Sequence, residues 1–434
     1  FRRVLFRSEV GRADAAAVER AIEGAARAGR EWCRTPAATR GEILHRLSAI
    51  LLSRRDDYAR LLSAEQGKPW AQAAGEIDYA ASFFRWFGEE ARRVHGRIVP
   101  HPEPDREFLV ERRAAGVAGL VTPWNFPLAQ GAKKIAAALA AGCTAVWKPA
   151  ELTPLVALAM APLAVEAGVP AGVLQIVPGR GSVVGGIFAA HPAVRVISLT
   201  GSSATGSALM AAAAPGLKRL SLELGGNAPF IILPDAEPDL VCDQLVKLKV
   251  FVSGQVCVTA NRVFVPAEME GEIVERLAAR VARLRVGNGL ADGIDMGPLV
   301  HAEACHDVAA RVAEAVASGA RIVAENSRLE DPSGLSAAAF SPPCVVAGVT
   351  DGMRLAREEI FGPVIPLLSY RSVAEAVERA NATPFGLAAY VYGTDLGRAR
   401  AVAGALEAGI VGVNEWRPLK AEIPLDRKST RLNS

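Results

Sequence analysis

The sequence predicts an α/β protein in which a doubly wound parallel sheet is joined to a second α/β domain. Three observations carry that prediction. A helical start gives way near residue 117 to short apolar runs that alternate with helical stretches, the signature of parallel strands joined by helices. The alternation resumes after a Gly pair, from about Phe230 to Gly412. The 434 residues, 50% hydrophobic and 22% charged, supply apolar material for two or three packed domains at roughly 100 to 200 residues each.

The elements follow in order. Ala16, Val18, Ala21, Ile22 and Ala25 form one helical stripe. Thr35-Pro36 reads as an N-cap with Pro at the first helical position, opening a second stripe of Ile43, Leu44, Leu47, Ile50 and Leu51. A third helix is predicted from Trp70 to Arg92 with Phe83, Phe84, Trp86 and Phe87 on its buried side. After the Pro-rich break at Pro100 to Pro104, Phe108 to Arg112 alternates as a strand does. Val117–Val121, Thr144–Lys148, Val173–Val177, Val194–Leu199 and Lys218–Glu223 are predicted strands, with helices starting near Pro127, Pro154, Ser182 and Ser203. Ala267 to Leu284 and His301 to Ser318 read as helices of the second domain. In such sheets ligands bind where the carboxyl ends of strands open into helices.

Composition excludes disorder, collagen and a disulfide scaffold. The longest apolar stretches, such as Leu152 to Val165, are about 14 residues and broken by proline, short of a bilayer crossing. With no apolar leader visible in Phe1 to Val10, the expectation is a cytoplasmic protein without a membrane partner. Six Cys, none in a CxxC pair, point to reduced thiols, and no metal site is expected; His301 and His306, five apart, do not share a helical face. The net charge of +3 resides in the two ends: Phe1 to Ser8 carries +3 and Asp426 to Ser434 carries +2, leaving the rest at −2. Both ends resemble translated read-through and are expected to be non-native. A nucleic-acid partner therefore has no support.

Three segments carry residues suited to chemistry. FVSGQVCVTANR, Phe251 to Arg262, presents Cys257 after Gly-Gln; alone, a single Cys is most simply a small buried hydrophobe. LELGGNAPF, Leu222 to Phe230, puts Glu223 at a strand end beside a Gly pair. TPWNFP, Thr122 to Pro127, offers Asn125 as a side-chain N–H donor after a strand.

Together with GSSATG at Gly201 to Gly206, EEIFGPV at Glu358 to Val364, NATPFGLAA at Asn381 to Ala389 and GVN at Gly412 to Asn414, these segments resemble the aldehyde dehydrogenase superfamily, in order and spacing. The resemblance implies a Rossmann-like cofactor domain over residues 9–100 and 114–225, a bridging strand used in oligomer formation over 101–113, and a catalytic domain over 226–425. It implies NAD(P)-dependent oxidation of an aldehyde to the carboxylate. Cys257 is the implied nucleophile, Asn125 and the Cys257 backbone N–H the oxyanion donors, and Glu223 the base that activates water against the thioester. Gly201, Ser202 and Gly206 resemble the phosphate-binding turn, and Lys148 and Glu151 the adenosine-ribose contacts. Glu359 and Phe361 are implied to position the nicotinamide, with Pro123 and Trp124 shaping its pocket. A carboxylate at Glu151 repels a 2′-phosphate, which favours NAD over NADP. The nearby PGRGSVVG, Pro178 to Gly185, has its glycines as GxGxxxG and is set aside.

Within the family the chain is most similar to the succinate-semialdehyde branch, through WNFP, KPAELTP and VGVNE. Two positions depart from it: Phe251 stands where that branch typically has Arg, and Lys133 matches a second Arg. The loss of a carboxylate-pairing guanidinium predicts a pocket for aliphatic or aromatic aldehydes. The family continues beyond Pro424-Leu425 with a further loop and strand, so the natural protein is expected to be longer, a homodimer or homotetramer, and the strand near 108–112 to be left as an unpaired edge. Two other readings stay open: a CoA-acylating relative, which Glu223 opposes, and a non-catalytic binding or structural member.

Overall fold

A computed structural model describes residues 10–331 and 335–425; the two end segments read as non-native lie outside the described residues. The chain divides into two compact units, one of residues 10–61 and 74–222, the other of 62–73 and 223 onward.

The first unit is built on a five-stranded sheet whose order is Leu174–Ile176, Thr144–Lys148, Val117–Val121, Val194–Thr200 and Arg219–Glu223. The pairs among the first four are parallel, in register Val117 to Thr144 and Leu120 to Ser198. Val117–Val121 and Thr144–Lys148 are nearly continuous apolar runs because both of their faces are covered. Helices Ala129–Ala140, Gly181–Ala190 and Ser203–Ala213 start within a residue or two of where proline and serine predicted them.

Three local expectations are corrected. Pro36 is the N-cap of helix Ala37–Ser53 rather than its first residue, and the Thr35 hydroxyl donates back to the Glu31 carbonyl at 3.3 Å. Of the aromatic stripe on helix Trp70–Glu90, Phe83 and Phe84 are buried while Trp86 and Phe87 are only half-buried. The strand near residue 108 spans Glu107–Val110 and is paired on one edge, antiparallel with Arg97–Pro100, a strand the sequence did not announce because all four of its residues escape full burial. Ile98, Phe108 and Leu109 of this hairpin are exposed.

The second unit holds a seven-stranded sheet in the order Arg321–Glu325, Cys344–Ala347, Val364–Tyr370, Ala260–Pro266, Ala228–Ile232, Ala388–Tyr392 and Ile410–Val413. Every neighbouring pair is parallel except the antiparallel edge pair Arg321–Glu325 with Cys344–Ala347. Ile231, Phe264, Val346, Leu368 and Val391, all essentially inaccessible, fill one core with the helices Ala302–Ala317 and Leu396–Ala405. Residues 62–73 group with this unit although they precede it by 150 positions. Backbone bonding explains this: Trp70 N–H donates to Gly289 O at 2.8 Å, and the Gln72 side chain accepts from Val252 N–H at 2.8 Å and donates to Asp295 O at 3.0 Å. Such contacts leave no periodic trace in the sequence. Among the described residues no helix is long and apolar enough to cross a membrane.

Candidate active site

Cys257 follows a short 3₁₀ turn, Phe251–Gly254, in which Val252, Ser253 and Gly254 all lie in the left-handed region at φ of 49°, 56° and 75°. For Val and Ser this conformation costs roughly 1 to 2 kcal/mol each. Side chains hold it in place. Ser253 Oγ donates to Gly297 O at 2.8 Å, Gln255 Nε2 donates to Val252 O at 3.0 Å, and Gln255 Oε1 accepts from Val300 N–H at 2.9 Å. Beyond the nucleophile candidate, the Tyr390 hydroxyl donates to Val258 O at 2.8 Å. Lys249, fully buried, donates to Ala260 O at 2.8 Å and Asn261 Oδ1 at 3.1 Å. These bonds fix both ends of a segment whose Cys257 side chain stays half-exposed while Cys143, Cys242, Cys305 and Cys344 are buried and Cys33 is exposed. Burial pushes Cys242 and Cys344 up to about 12 and Cys305 up to about 11, which removes them as thiolate nucleophiles.

Glu223 ends its strand half-buried, and the Gly pair that follows explains its placement. A Cβ on Gly226 would collide with the carbonyl oxygen of Cys257, and one on Gly225 with the carboxylate of Glu359. Gly226 N–H donates to Glu359 Oε1 at 3.1 Å. Three residues of chain cover at most about 11 Å, so Glu223 lies within that reach of the Cys257 backbone contact. The Glu359 carboxylate and the Cys257 carbonyl thus meet at the Gly pair, two and three residues after Glu223. Desolvation raises Glu359 to about 7 against the opposing pull of the Gly226 N–H, Arg311 and Lys249, and desolvation lowers Lys249 to about 7. Arg311 Nη1 holds the Glu359 carbonyl at 2.5 Å, and Phe361 two residues on is left-handed, at φ 51°.

In the first unit Asn125 is buried, its Oδ1 accepting from Phe126 N–H at 3.1 Å, which fixes the two ends of its amide. The TPWNFP turn is pinned from both sides. Thr122 Oγ1 accepts from Trp147 Nε1 at 2.8 Å, and the buried Glu76 carboxylate accepts from Leu128 and Ala129 N–H at 3.0 and 3.1 Å. Pro123 and Trp124 between them are half-buried. Lys133, also half-buried, sits on helix Ala129–Ala140, where its neighbour Lys134 bonds Ser198 Oγ at 2.7 Å.

The cofactor candidates of this unit gather at carboxyl ends of strands. Lys148 ends its strand 5% exposed; among the described residues its ammonium has neither hydrogen-bond nor ion-pair partner, and desolvation lowers its pKa against the nearby Glu151. Glu151 Oε1 accepts from Gly181 N–H at 3.1 Å, and a Cβ at Gly181 would stand 3.6 Å from Lys148 Nζ. The glycine run set aside in the sequence therefore opens its helix against these two residues; its spacing hid that role. Ser202 caps helix Ser203–Ala213 by accepting from Thr205 N–H at 3.2 Å, with Gly201 before it and Gly206 buried behind. Such an N-terminus receives phosphate.

Phe251 is not a bare apolar surface. Trp416 meets it edge-on with ring centroids 5.9 Å apart, and the Arg417 guanidinium carbon lies 5.1 Å from its centroid. Neither residue was singled out from the sequence, although a Trp-Arg pair directly after VGVNE was the available signal. His301 has a structural use: its Nδ1 accepts from Ala304 N–H and caps a helix.

Comparison with known proteins shows the family. The pattern of the aldehyde dehydrogenase family matches residues 7–425. The chain is 44% identical to a 3-sulfolactaldehyde dehydrogenase of Pseudomonas putida over 92% of its own length and 81% of that protein's. It is 42% identical to a succinate-semialdehyde dehydrogenase [NADP(+)] of Escherichia coli over 91% of its length and 81% of the relative's. The solved succinate-semialdehyde dehydrogenase of Burkholderia pseudomallei superposes with a TM-score of 0.93 at 44% identity, covering 97% of this chain and 87% of that one. An α/β fold of parallel sheets, a half-exposed cysteine beside a Gly pair and a match over nearly the whole chain make this protein a member of the aldehyde dehydrogenase family, oxidoreductases that oxidise aldehydes with NAD or NADP.

Proposed function

We propose that Cys257 is the nucleophile of an NAD-preferring semialdehyde dehydrogenase that releases its product by hydrolysis. The observation that carries this reading is the packing of Gly225 and Gly226 between the Glu359 carboxylate and the Cys257 carbonyl. The Cys257 thiolate attacks the aldehyde carbon and forms a thiohemiacetal whose oxyanion takes a hydrogen bond from the Cys257 N–H; the family resemblance assigns Asn125 the role of second donor. When bound, the nicotinamide cofactor accepts the hydride that leaves that carbon as the thioester forms. Glu223 then takes a proton from water, hydroxide adds to the thioester, and collapse of the adduct frees the carboxylic acid and restores the thiolate.

The residues present fit the cofactor. Lys148 is a buried donor with no partner among the described residues, Glu151 is a carboxylate fixed by Gly181, and Ser202 caps a helix that opens after Gly201. Lys148 and Glu151 would hold the adenosine ribose, the Gly201–Gly206 turn the phosphates, and Glu359 and Phe361 the nicotinamide end. Glu151 supports NAD over NADP by repelling a 2′-phosphate. The three named relatives act on aldehydes that carry a second acid group, which supports the same class here. A homodimer or homotetramer is the proposed assembly.

The test is reduced-cofactor formation with NAD and NADP over neutral and carboxylated aldehydes. Cys257→Ala is expected to abolish it, and Asn125→Ala to lower kcat by about 10² to 10³. Activity that survives in Cys257→Ala overturns the reading. Glu223→Gln is expected to give a burst of reduced cofactor followed by slow turnover. A steady rate restored by CoA, with acyl-CoA as product, favours the acylating alternative, and failure to bind either cofactor favours a non-catalytic role.

A further inference from the structure

We propose that Arg417 determines specificity by recognising a terminal carboxylate or sulfonate on the aldehyde, its guanidinium held against the ring of Phe251. The proposal rests on the reading of Cys257 as nucleophile and supplies that site with the anion receptor that position 251 itself lacks.

The segment that carries Arg417 is built to present it. Strand Ile410–Val413 ends at Asn414, whose left-handed backbone, φ 51°, turns the chain. The Asn414 amide pairs twice with Gly393, accepting from its N–H at 3.1 Å and donating to its carbonyl at 2.9 Å. Arg417 N–H then donates to Glu415 Oε1 at 2.6 Å, which closes the turn. Trp416 packs edge-on to Phe251, and Arg417 lies over the same ring at 5.1 Å, within cation–π distance.

Two features separate Arg417 from an ordinary surface arginine. It is half-buried, and among the described residues it makes no ion pair, the exposed Glu415 carboxylate included. Arg276, Arg280, Arg354 and Arg379 each pair with two carboxylates. A guanidinium resting on an aromatic face keeps its N–H fork available for bidentate pairing with an oxyanion. Phe251 opens the 3₁₀ turn that leads to Cys257, and six residues of chain keep the two within about 20 Å. Phe251 therefore acts as a platform for a guanidinium supplied by another element.

The experiment compares kcat/KM for succinate semialdehyde, for butanal with the same number of carbons, and for 3-sulfopropanal against propanal, in the wild type, Arg417→Gln and Arg417→Lys. The expected result is a fall of about 10- to 100-fold in the charged-to-neutral ratio for Arg417→Gln, carried by KM, with partial recovery in Arg417→Lys. A fall confined to one of the two charged substrates tells carboxylate from sulfonate. In the wild type, raising salt is expected to raise KM for the charged aldehyde more than for butanal, a reading that requires no variant to fold. An unchanged ratio in Arg417→Gln, or equal salt response of charged and neutral substrates, overturns the role of Arg417 while leaving Cys257 untouched. Absence of turnover on every aldehyde overturns both.

Discussion

At the scale of single residues, the site sets two ionisable groups against their usual behaviour. Glu359 is raised to about 7 by desolvation, while an unfolded glutamate titrates near about 4.3. Between those values the folded state keeps a proton that the unfolded state has lost, so stability falls as pH rises from about 4.3 to about 7 and levels off above. Glu359→Gln removes that slope: its melting temperature relative to wild type is expected to climb between pH 4.5 and 7 and then stay flat. Lys249 works in the opposite range. Lowered to about 7, it is neutral in the fold where an unfolded lysine is still charged, so stability rises with pH from about 7 to about 10.4, and Lys249→Met is expected to lose that rise. Parallel thermal melts across both ranges check the pair. Neither shift was legible in the sequence, because burial depends on residues far along the chain. Cys257, Glu223 and Asn125 were legible as candidates because each stands in a motif with turn-forming neighbours at a strand or loop end. Arg417 was not, because its meaning comes from Phe251, 166 positions away.

At the scale of elements, the loop before Cys257 and the Gly pair after Glu223 act as one fitting. Gly226→Ala drives a methyl group into the Cys257 carbonyl, a backbone atom that cannot step aside as a flexible side chain does. The expected cost is about 1 to 3 kcal/mol in urea unfolding, together with a loss of kcat larger than that of a surface substitution. Normal kcat in Gly226→Ala would show that the contact does not position the nucleophile loop. The first sheet was read almost strand for strand, since its apolar runs are short and bounded by helices with clear starts. The hairpin strand Arg97–Pro100 was missed, because it hides no residue from solvent and so lacks the alternation that reveals a half-buried strand. The strands of the second unit were read only as a general α/β stretch, for wholly buried runs such as Ala260–Pro266 carry no period that tells strand from helix.

At the scale of the whole molecule, cofactor binding is expected to tie stability to ligand concentration. NAD at 100 times its Kd adds about 2.7 kcal/mol, and hydrogen exchange is expected to slow at residues 148–151, 181–185 and 201–206 of the first unit. NADP at the same concentration is expected to protect less, by virtue of Glu151. Protection by NAD absent from these segments would count against the cofactor assignment. A folded chain hides four of its six thiols and leaves Cys33 exposed and Cys257 half-exposed. Covalent labelling of the native protein will therefore count two reactive sulfurs per chain and six after denaturation, and an inhibitor titration scored by mass alone will report twice the true number of active sites unless Cys33 is first replaced.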